Sequence, residues 1–432
     1  MSKEPEPVFK VPNIQKYQRP LAVYKQNGDQ YQVYTSRQGL EDDDKTYSGK
    51  LITMTKEEYK KAGCHYKPKY TFIKAATYDL EKEFNNLCKE AMEVRKVTKG
   101  KLNPFRTGCA AITTLVFFYD TLNKKKIEKP DPLEEWETAI LRKCKLGPIR
   151  FSEKYEGKAY KYDVVSQYPS RMLEYRYPMK EGKLKTMTQE MIDEIVEDED
   201  ATFSYGIYSN IKIKSKSQLL LPTNDNNSYT HYEMNRAKEL GYKIKLINEE
   251  PNNWLSYKGK TIDGEELFGD FVNYLYDLKN QGHKCVKPYL NALWGTLCQV
   301  DKLPTTLNNL RKTDVIDTMQ MKWNAEENRF EVDPKLITVK IIKGGKTYKT
   351  DFARIHPFLM AQARLQTSEF LEHNLDDVVY VHTDGFILKK KISKKIELGT
   401  NLGDLKFEGV CDDCKVTNCN GAKGNFSIIE FK

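Results

Sequence analysis

The sequence predicts an α+β fold, and three observations carry that prediction. Apolar residues recur at helical spacing over long stretches, among them Leu80–Val97 and Pro357–Glu372. Short β-prone runs close on polar turns, as at Val378–Val381 and Phe386–Lys389, which marks antiparallel hairpins. No regular strand–helix alternation runs along the chain, and it has no P-loop, dinucleotide glycine fingerprint, HExxH or nucleophile elbow.

The elements follow in order. Residues 1–70 are rich in Lys, Tyr and Gln, with short strand-like pieces and an acidic loop at Glu41–Asp44. Thr71–Tyr78 reads as a strand, and Leu80–Val97, Ala110–Leu122 and Pro132–Lys143 read as helices. Ala159–Val165 is β-prone and ends at a turn-forming segment containing Pro169. The acidic Asp193–Asp200 separates this unit from a strand pair over Tyr205–Lys214. Asn224–Asn227 is a loop and Tyr232–Leu240 a helix; Glu265–Lys279 and Cys285–Gln299 form a helical pair broken at Gly282. Leu336–Ile342 and Thr347–Phe352, joined through Gly344-Gly345, read as a hairpin. The Pro357–Glu372 helix then precedes the strands around Asp384.

At 432 residues the chain has room for about three structural units. With 30% charged residues and no apolar run beyond about ten residues (Ala110–Tyr119), no membrane is expected as a partner. Met1–Lys10 has no secretory hydrophobic region, and nine cysteines, an odd number, fit free thiols in a reducing, intracellular compartment. Viral, mitochondrial and cytoplasmic settings all stay open. The net charge of +9 and 27 tyrosines interleaved with lysine suit a polyanion partner.

Two aspartates stand out by position. Asp163 ends an apolar strand in Tyr-Lys-Tyr-Asp163-Val-Val-Ser166-Gln167-Tyr168-Pro169, and Asp384 sits at the turn of Tyr380-Val-His382-Thr383-Asp384-Gly385. Either alone reads as a turn-stabilising residue. A carboxylate at the tip of a buried strand is desolvated unless a cation joins it, so the pair predicts divalent metal. Lys287, Asn291 and Gly295 fall at i, i+4 and i+8, on one helical stripe. A cation and an amide there suit a phosphate chain, and the glycine permits close approach of a planar ligand. Leu290, Leu293 and Leu297 equally make this an ordinary amphipathic helix.

In order, these pieces resemble motifs A, B and C of the family B DNA polymerases, closest to the protein-primed, organellar and viral branch. Motif A, D-x-x-S-L-Y-P, stands here as Asp163-Val-Val-Ser166-Gln167-Tyr168-Pro169. In motif B, K-x-x-x-N-S-x-Y-G, Lys287, Asn291 and Gly295 match while Ala292 and Trp294 depart. In motif C, Y-x-D-T-D-S, Tyr380, Thr383 and Asp384 match while His382 and Gly385 depart. Leu402-Gly403-Asp-Leu-Lys406 looks like the segment that follows motif C, and the helix with Ala361-Gln-Ala-Arg364 sits where the family has one.

The resemblance implies a right-hand polymerase fold with an antiparallel-sheet palm, helical fingers and a very small or absent thumb. It divides the chain into an accessory or vestigial exonuclease-like region (1–105), palm with motif A (106–204), insertion and fingers (205–300), palm with motif C (301–395) and a post-palm segment or rudimentary thumb (396–432). It also implies a DNA polymerase joining dNTPs to a primer. Asp163, Asp384 and the Val164 carbonyl would hold two Mg²⁺, with Mn²⁺ able to substitute. Ser166, Gln167, Tyr168, Lys287, Asn291, Gly295 and Lys279 would bind the dNTP, with Lys284 a further phosphate candidate, and Tyr168 would exclude a 2′-hydroxyl. Thr383, Lys406 and Tyr380 would contact primer-template DNA. Residues 205–260 are a counterpart of the insertion that meets a terminal-protein primer.

Two features bear on what is missing. Asp79-Leu-Glu81 superficially fits an exonuclease D-x-E, yet too few residues separate it from motif A, so a helix N-terminus is the preferred reading and no 3′–5′ exonuclease is expected. Cys411, Cys414 and Cys419 have zinc-like spacing without a nearby fourth ligand; Cys64-His65 is the distant candidate. The competing readings are a polymerase-like protein that binds DNA without useful catalysis, and a two-metal nuclease.

Overall fold

The computed structural model describes residues 8–11, 21–28, 30–35, 49–62, 70–76, 79–310, 315–320, 323–324, 329–330, 338–342, 347–418 and 421–423. Glu41–Asp44, Cys64-His65, Gly344-Gly345 and Cys419 lie outside them. The chain forms two units, one of Met1–Lys129 with Glu265–Thr296, the other of Pro130–Gly264 with Leu297–Lys432. The boundary anticipated at 105/106 therefore falls inside the first unit.

In the first unit a four-stranded sheet runs in the order Lys50–Thr55, Gln30–Thr35, Leu21–Asn27, Thr71–Lys74. The first three strands are antiparallel and the last is parallel to Leu21–Asn27. The helix Leu80–Val97 buries Phe84, Cys88 and Ala91 against Leu21, Val23 and Tyr34 of that sheet. Asp79 caps this helix, its carboxylate accepting the Lys82 N–H at 3.0 Å. Phe117 and Phe118 of the helix Ala110–Lys125 pack on Phe268 and Phe271.

The second unit is built on a six-stranded sheet in the order Gly421–Lys423, Leu405–Asn418, Tyr155–Val164, Gly385–Leu388, Val378–His382, Arg150–Ser152. Every pairing is antiparallel. Leu405–Asn418 is the longest strand of this sheet. Tyr162, Val164, Val381, Phe386, Leu388 and Leu405 form one core cluster with Leu371 of the helix Ile355–Glu372. That helix is buried nearly throughout. Glu137 and Arg354, both fully buried, hold the surrounding loops: Arg354 Nε donates to Glu137 at 2.9 Å, and the Tyr257 hydroxyl donates to it at 2.7 Å.

Three local expectations are corrected. Asp193–Asp200 does not separate units, because Gln189–Glu197 is a helix that buries Ile192 and is capped by Thr188. The strands Gly206–Tyr208 and Ile211–Lys214 do not pair with each other; the first joins Tyr229–Thr230 and Trp254–Ser256, the second Lys243–Leu246. Thr338–Ile342 pairs with Lys302–Thr306 and Val315–Gln320 rather than with residues 347–352, which run into a 3₁₀ turn at Asp351–Arg354.

Candidate active site

Asp163 is the penultimate residue of the strand Tyr155–Val164, after which the chain turns through Ser166 into the helix Gln167–Glu174. Ser166 has φ 50°, and Thr383, in the turn before Asp384, has φ 68°. Non-glycine residues adopt this left-handed region rarely, a β-branched threonine least of all, so both turns are strained and must be fastened. The Thr383 N–H donates to the Ile149 carbonyl at 3.1 Å, and its carbonyl accepts the Thr367 hydroxyl at 3.2 Å.

The two aspartates meet at one edge of the sheet. Asp163 is paired with Gly385 on one side and with Lys406 on the other. The next residue, Val164, donates its N–H to the Asp384 carbonyl at 3.1 Å. Facing residues of adjacent antiparallel strands lie about 4.5–5.5 Å apart, so Asp163 stands beside Gly385, the residue that follows Asp384. Gly385 is also explained, because a Cβ there would fall 2.9 Å from Asp163 Oδ1. A larger side chain there would have to displace that carboxylate. Both aspartates are half-buried. Two hard carboxylates on adjoining strand ends are a donor set that could take part in holding a divalent cation. Among the described residues no cluster of three or more His, Cys, Asp or Glu is placed to hold a metal.

Tyr168, in the first turn of the 167–174 helix, is 9% exposed. Its phenol is pushed up to about 12, first by burial and then by the negative charge of Asp384. Lys406 is exposed beside Asp163, and Tyr380 and His382 stand two apart on one strand with rings 6.4 Å apart. Gln167 is corrected from its expected role. It is 1% exposed and its amide donates to the Ala363 carbonyl at 3.1 Å and the Thr367 hydroxyl at 3.0 Å, so it faces the 355–372 helix and not a ligand.

In the first unit, the helix Lys287–Leu297 has the two faces its spacing implied. Leu290, Leu293 and Leu297 are buried, while Lys287, Asn291 and Gly295 are all exposed. A Cβ at Gly295 would meet nothing within 4 Å, so the ground above it is open. Lys279 lies 5.3 Å from the ring of Tyr276, and Lys284 is exposed. Cys411 and Cys414 are buried against Ala159, Val379 and Ile387, where burial raises the Cys414 thiol; this pair packs as core thiols.

Sequence reasoning missed the polar groups behind the site: Thr367, Gln366, and Arg364, whose guanidinium donates to Glu233 at 2.6 Å. The one available signal was a Gln-Thr-Ser run inside an otherwise apolar helix.

Among the described residues no helix is long and apolar enough to cross a membrane. No curated protein matches the chain. Its fold is shared with the Phi29 DNA polymerase. The form complexed with single-stranded DNA matches at 16% identity and a TM-score of 0.54, covering 94% of this chain and 72% of that one. The ternary complex with primer-template DNA and incoming nucleotide substrates matches at 16% identity and a TM-score of 0.55, covering 98% and 76%. Residues 7–352 match the family model described as DNA polymerase type B, organellar and viral. With four-fifths of its length covered by that model, the chain belongs to the organellar and viral type B DNA polymerases.

Proposed function

We propose that the chain is a template-directed DNA polymerase that adds dNTPs to a primer 3′-hydroxyl. The observation that carries this reading is the pairing of Asp163 with Gly385, which brings Asp163 and Asp384 to one sheet edge in a member of this family. On this reading the six-stranded sheet is the palm and the Lys287–Leu297 helix belongs to the fingers. Asp163, Asp384 and the Val164 carbonyl would hold Mg²⁺, or Mn²⁺ in its place. Such an ion supplies activation of the primer hydroxyl and neutralisation of the triphosphate. The remaining work is positioning. Lys287 and Asn291 bind the nucleotide phosphates, with Lys279 a further cation. Gly295 leaves room for the nascent base pair, Lys406 and Tyr380 contact the primer strand, and Ser166 and Thr383 hold the turns.

Tyr168 packs beneath the sugar, and its protonated phenol, buried beside Asp384, is a rigid floor where a 2′-hydroxyl would clash. Tyr168→Ala should therefore incorporate ribonucleotides at least tenfold more readily relative to dNTPs, about the 1–3 kcal/mol that small steric differences in a pocket contribute. Competitive primer extension with ATP and dATP measures this, and unchanged sugar selectivity would remove Tyr168 from the role. Lys287→Ala should raise the dNTP KM about tenfold, as expected for one charge-assisted phosphate contact, with DNA affinity changed less than threefold. Steady-state extension and anisotropy on labelled primer-template separate the two effects.

The chain is further proposed to lack 3′–5′ exonuclease activity. Asp79 is engaged as a helix cap, and the strand Leu21–Asn27 carries no carboxylate. Primer-template incubated with Mg²⁺ tests the whole reading: extension with dNTPs and no shortening without them is the expected result. Shortening alone would make the protein a two-metal nuclease. DNA binding without either reaction would leave the binding reading.

A further inference from the structure

Thr367 makes contacts that its own helix does not require. A helical threonine ordinarily returns its hydroxyl to the carbonyl four residues back, and Thr367 Oγ1 does lie 3.2 Å from the Ala363 carbonyl. The same oxygen lies 3.2 Å from the Thr383 carbonyl and accepts the Gln167 amide at 3.0 Å. Gln167 begins the helix that follows the Asp163 turn, and Thr383 immediately precedes Asp384. With one proton and two lone pairs, this hydroxyl reaches both aspartate-bearing turns at once. It is fully buried, so water does not substitute for it.

Each of those turns contains a left-handed non-glycine residue, a conformation that persists only where its surroundings over-determine it. The preceding helix residue adds a third tie. Gln366 donates to the Gly403 carbonyl at 2.9 Å, and the Gly403 N–H donates to the Val165 carbonyl at 2.8 Å, two residues beyond Asp163.

We infer that Thr367 is a positioning residue, its hydroxyl fixing the spacing between the strand ends that carry Asp163 and Asp384. This rests on the polymerase reading above, in which those two side chains hold the divalent ion. Thr367→Val keeps the shape and removes the hydroxyl; Thr367→Ser keeps the hydroxyl.

The test uses the full chain and Mn²⁺ alone, read by electron paramagnetic resonance, followed by single-nucleotide extension. Thr367→Val should bind Mn²⁺ about tenfold more weakly and lower kcat about 10- to 100-fold, with the dNTP KM within about twofold, the pattern of sub-ångström misplacement at a reacting centre. Thr367→Ser should stay within about threefold of wild type in both. Wild-type Mn²⁺ affinity in Thr367→Val, whatever its melting temperature, would reduce Thr367 to a packing residue and overturn the inference. If Thr367→Val does not fold, Gln167→Leu cuts the other end of the same bond and is read by the same criterion. Mn²⁺ binding that ignores Asp384→Asn would instead sink the two-aspartate reading itself, a result distinct from a failure confined to Thr367.

Discussion

Asp384→Asn should extend a primer at least about 10³-fold more slowly than wild type while binding primer-template with unchanged affinity. The substitution preserves shape and one carbonyl oxygen but removes the charge at the sheet edge that it shares with Asp163. On the proposed reading a divalent ion held there would supply several kcal/mol of transition-state charge stabilisation, and each 1.4 kcal/mol is about tenfold in rate. On the proposed reading DNA affinity would come from lysines contacting backbone phosphates, so it should not change, and it should fall steeply with added salt in both proteins. Single-turnover extension and anisotropy give the two numbers. Extension at the wild-type rate by Asp384→Asn would end the polymerase proposal.

The second large effect is on stability. Glu137→Ala should destabilise the second unit by about 3–5 kcal/mol, because the fully buried Arg354 guanidinium would lose its counter-charge. The Tyr257 hydroxyl loses its acceptor in the same step, and the Gly182 N–H, 3.3 Å from the same carboxylate, loses one as well. At about 2–4 °C per kcal/mol, thermal unfolding should begin roughly 10 °C lower. Urea unfolding followed by tryptophan fluorescence measures the loss. The double variant Glu137→Leu/Arg354→Met should recover only part of it, since it removes the unpaired buried charge but leaves the Tyr257 hydroxyl and Gly182 N–H without an acceptor. A single variant as stable as wild type would show that water reaches the pair.

Much of the helical content was legible because helices are written locally. Leu80–Val97 is legible to the residue, with Asp79-Leu-Glu81 read as its acidic N-terminus, and the 355–372 helix to within two residues at its start. The turn at Asp384 was equally readable, since β-prone runs flank a short polar step. Strand partners were not legible. Asp163 is paired with Lys406 and Gly385, choices made by the packing of Val164 against Phe386 and Leu405, which lie more than two hundred residues away in sequence. Gly344-Gly345 looked like a hairpin turn, yet Thr338–Ile342 takes its partners from earlier in the chain. Asp193–Asp200 misled because net acidity outweighed the apolar spacing of Met191, Ile192 and Ile195, which is what drives that helix. The candidate site followed the same division. The carboxylates were found through motif spacing, whereas Gln167 was assigned to a ligand because sequence does not show which way a side chain turns at a strained junction. Gly385 stands out in sequence only as a departure from motif C; its nearness to Asp163 Oδ1 exists only in three dimensions.

The order of the six-stranded sheet governs how this protein emerges from the ribosome. Both neighbours of the 155–164 strand, at 385–388 and 405–418, are synthesised more than two hundred residues later. At about 5–20 residues per second that strand waits roughly 10–45 seconds with both edges bare, open to pairing with other nascent chains. Chaperone capture in that interval, or slower production at low temperature, should govern the yield of active protein more than the stability of the finished fold does.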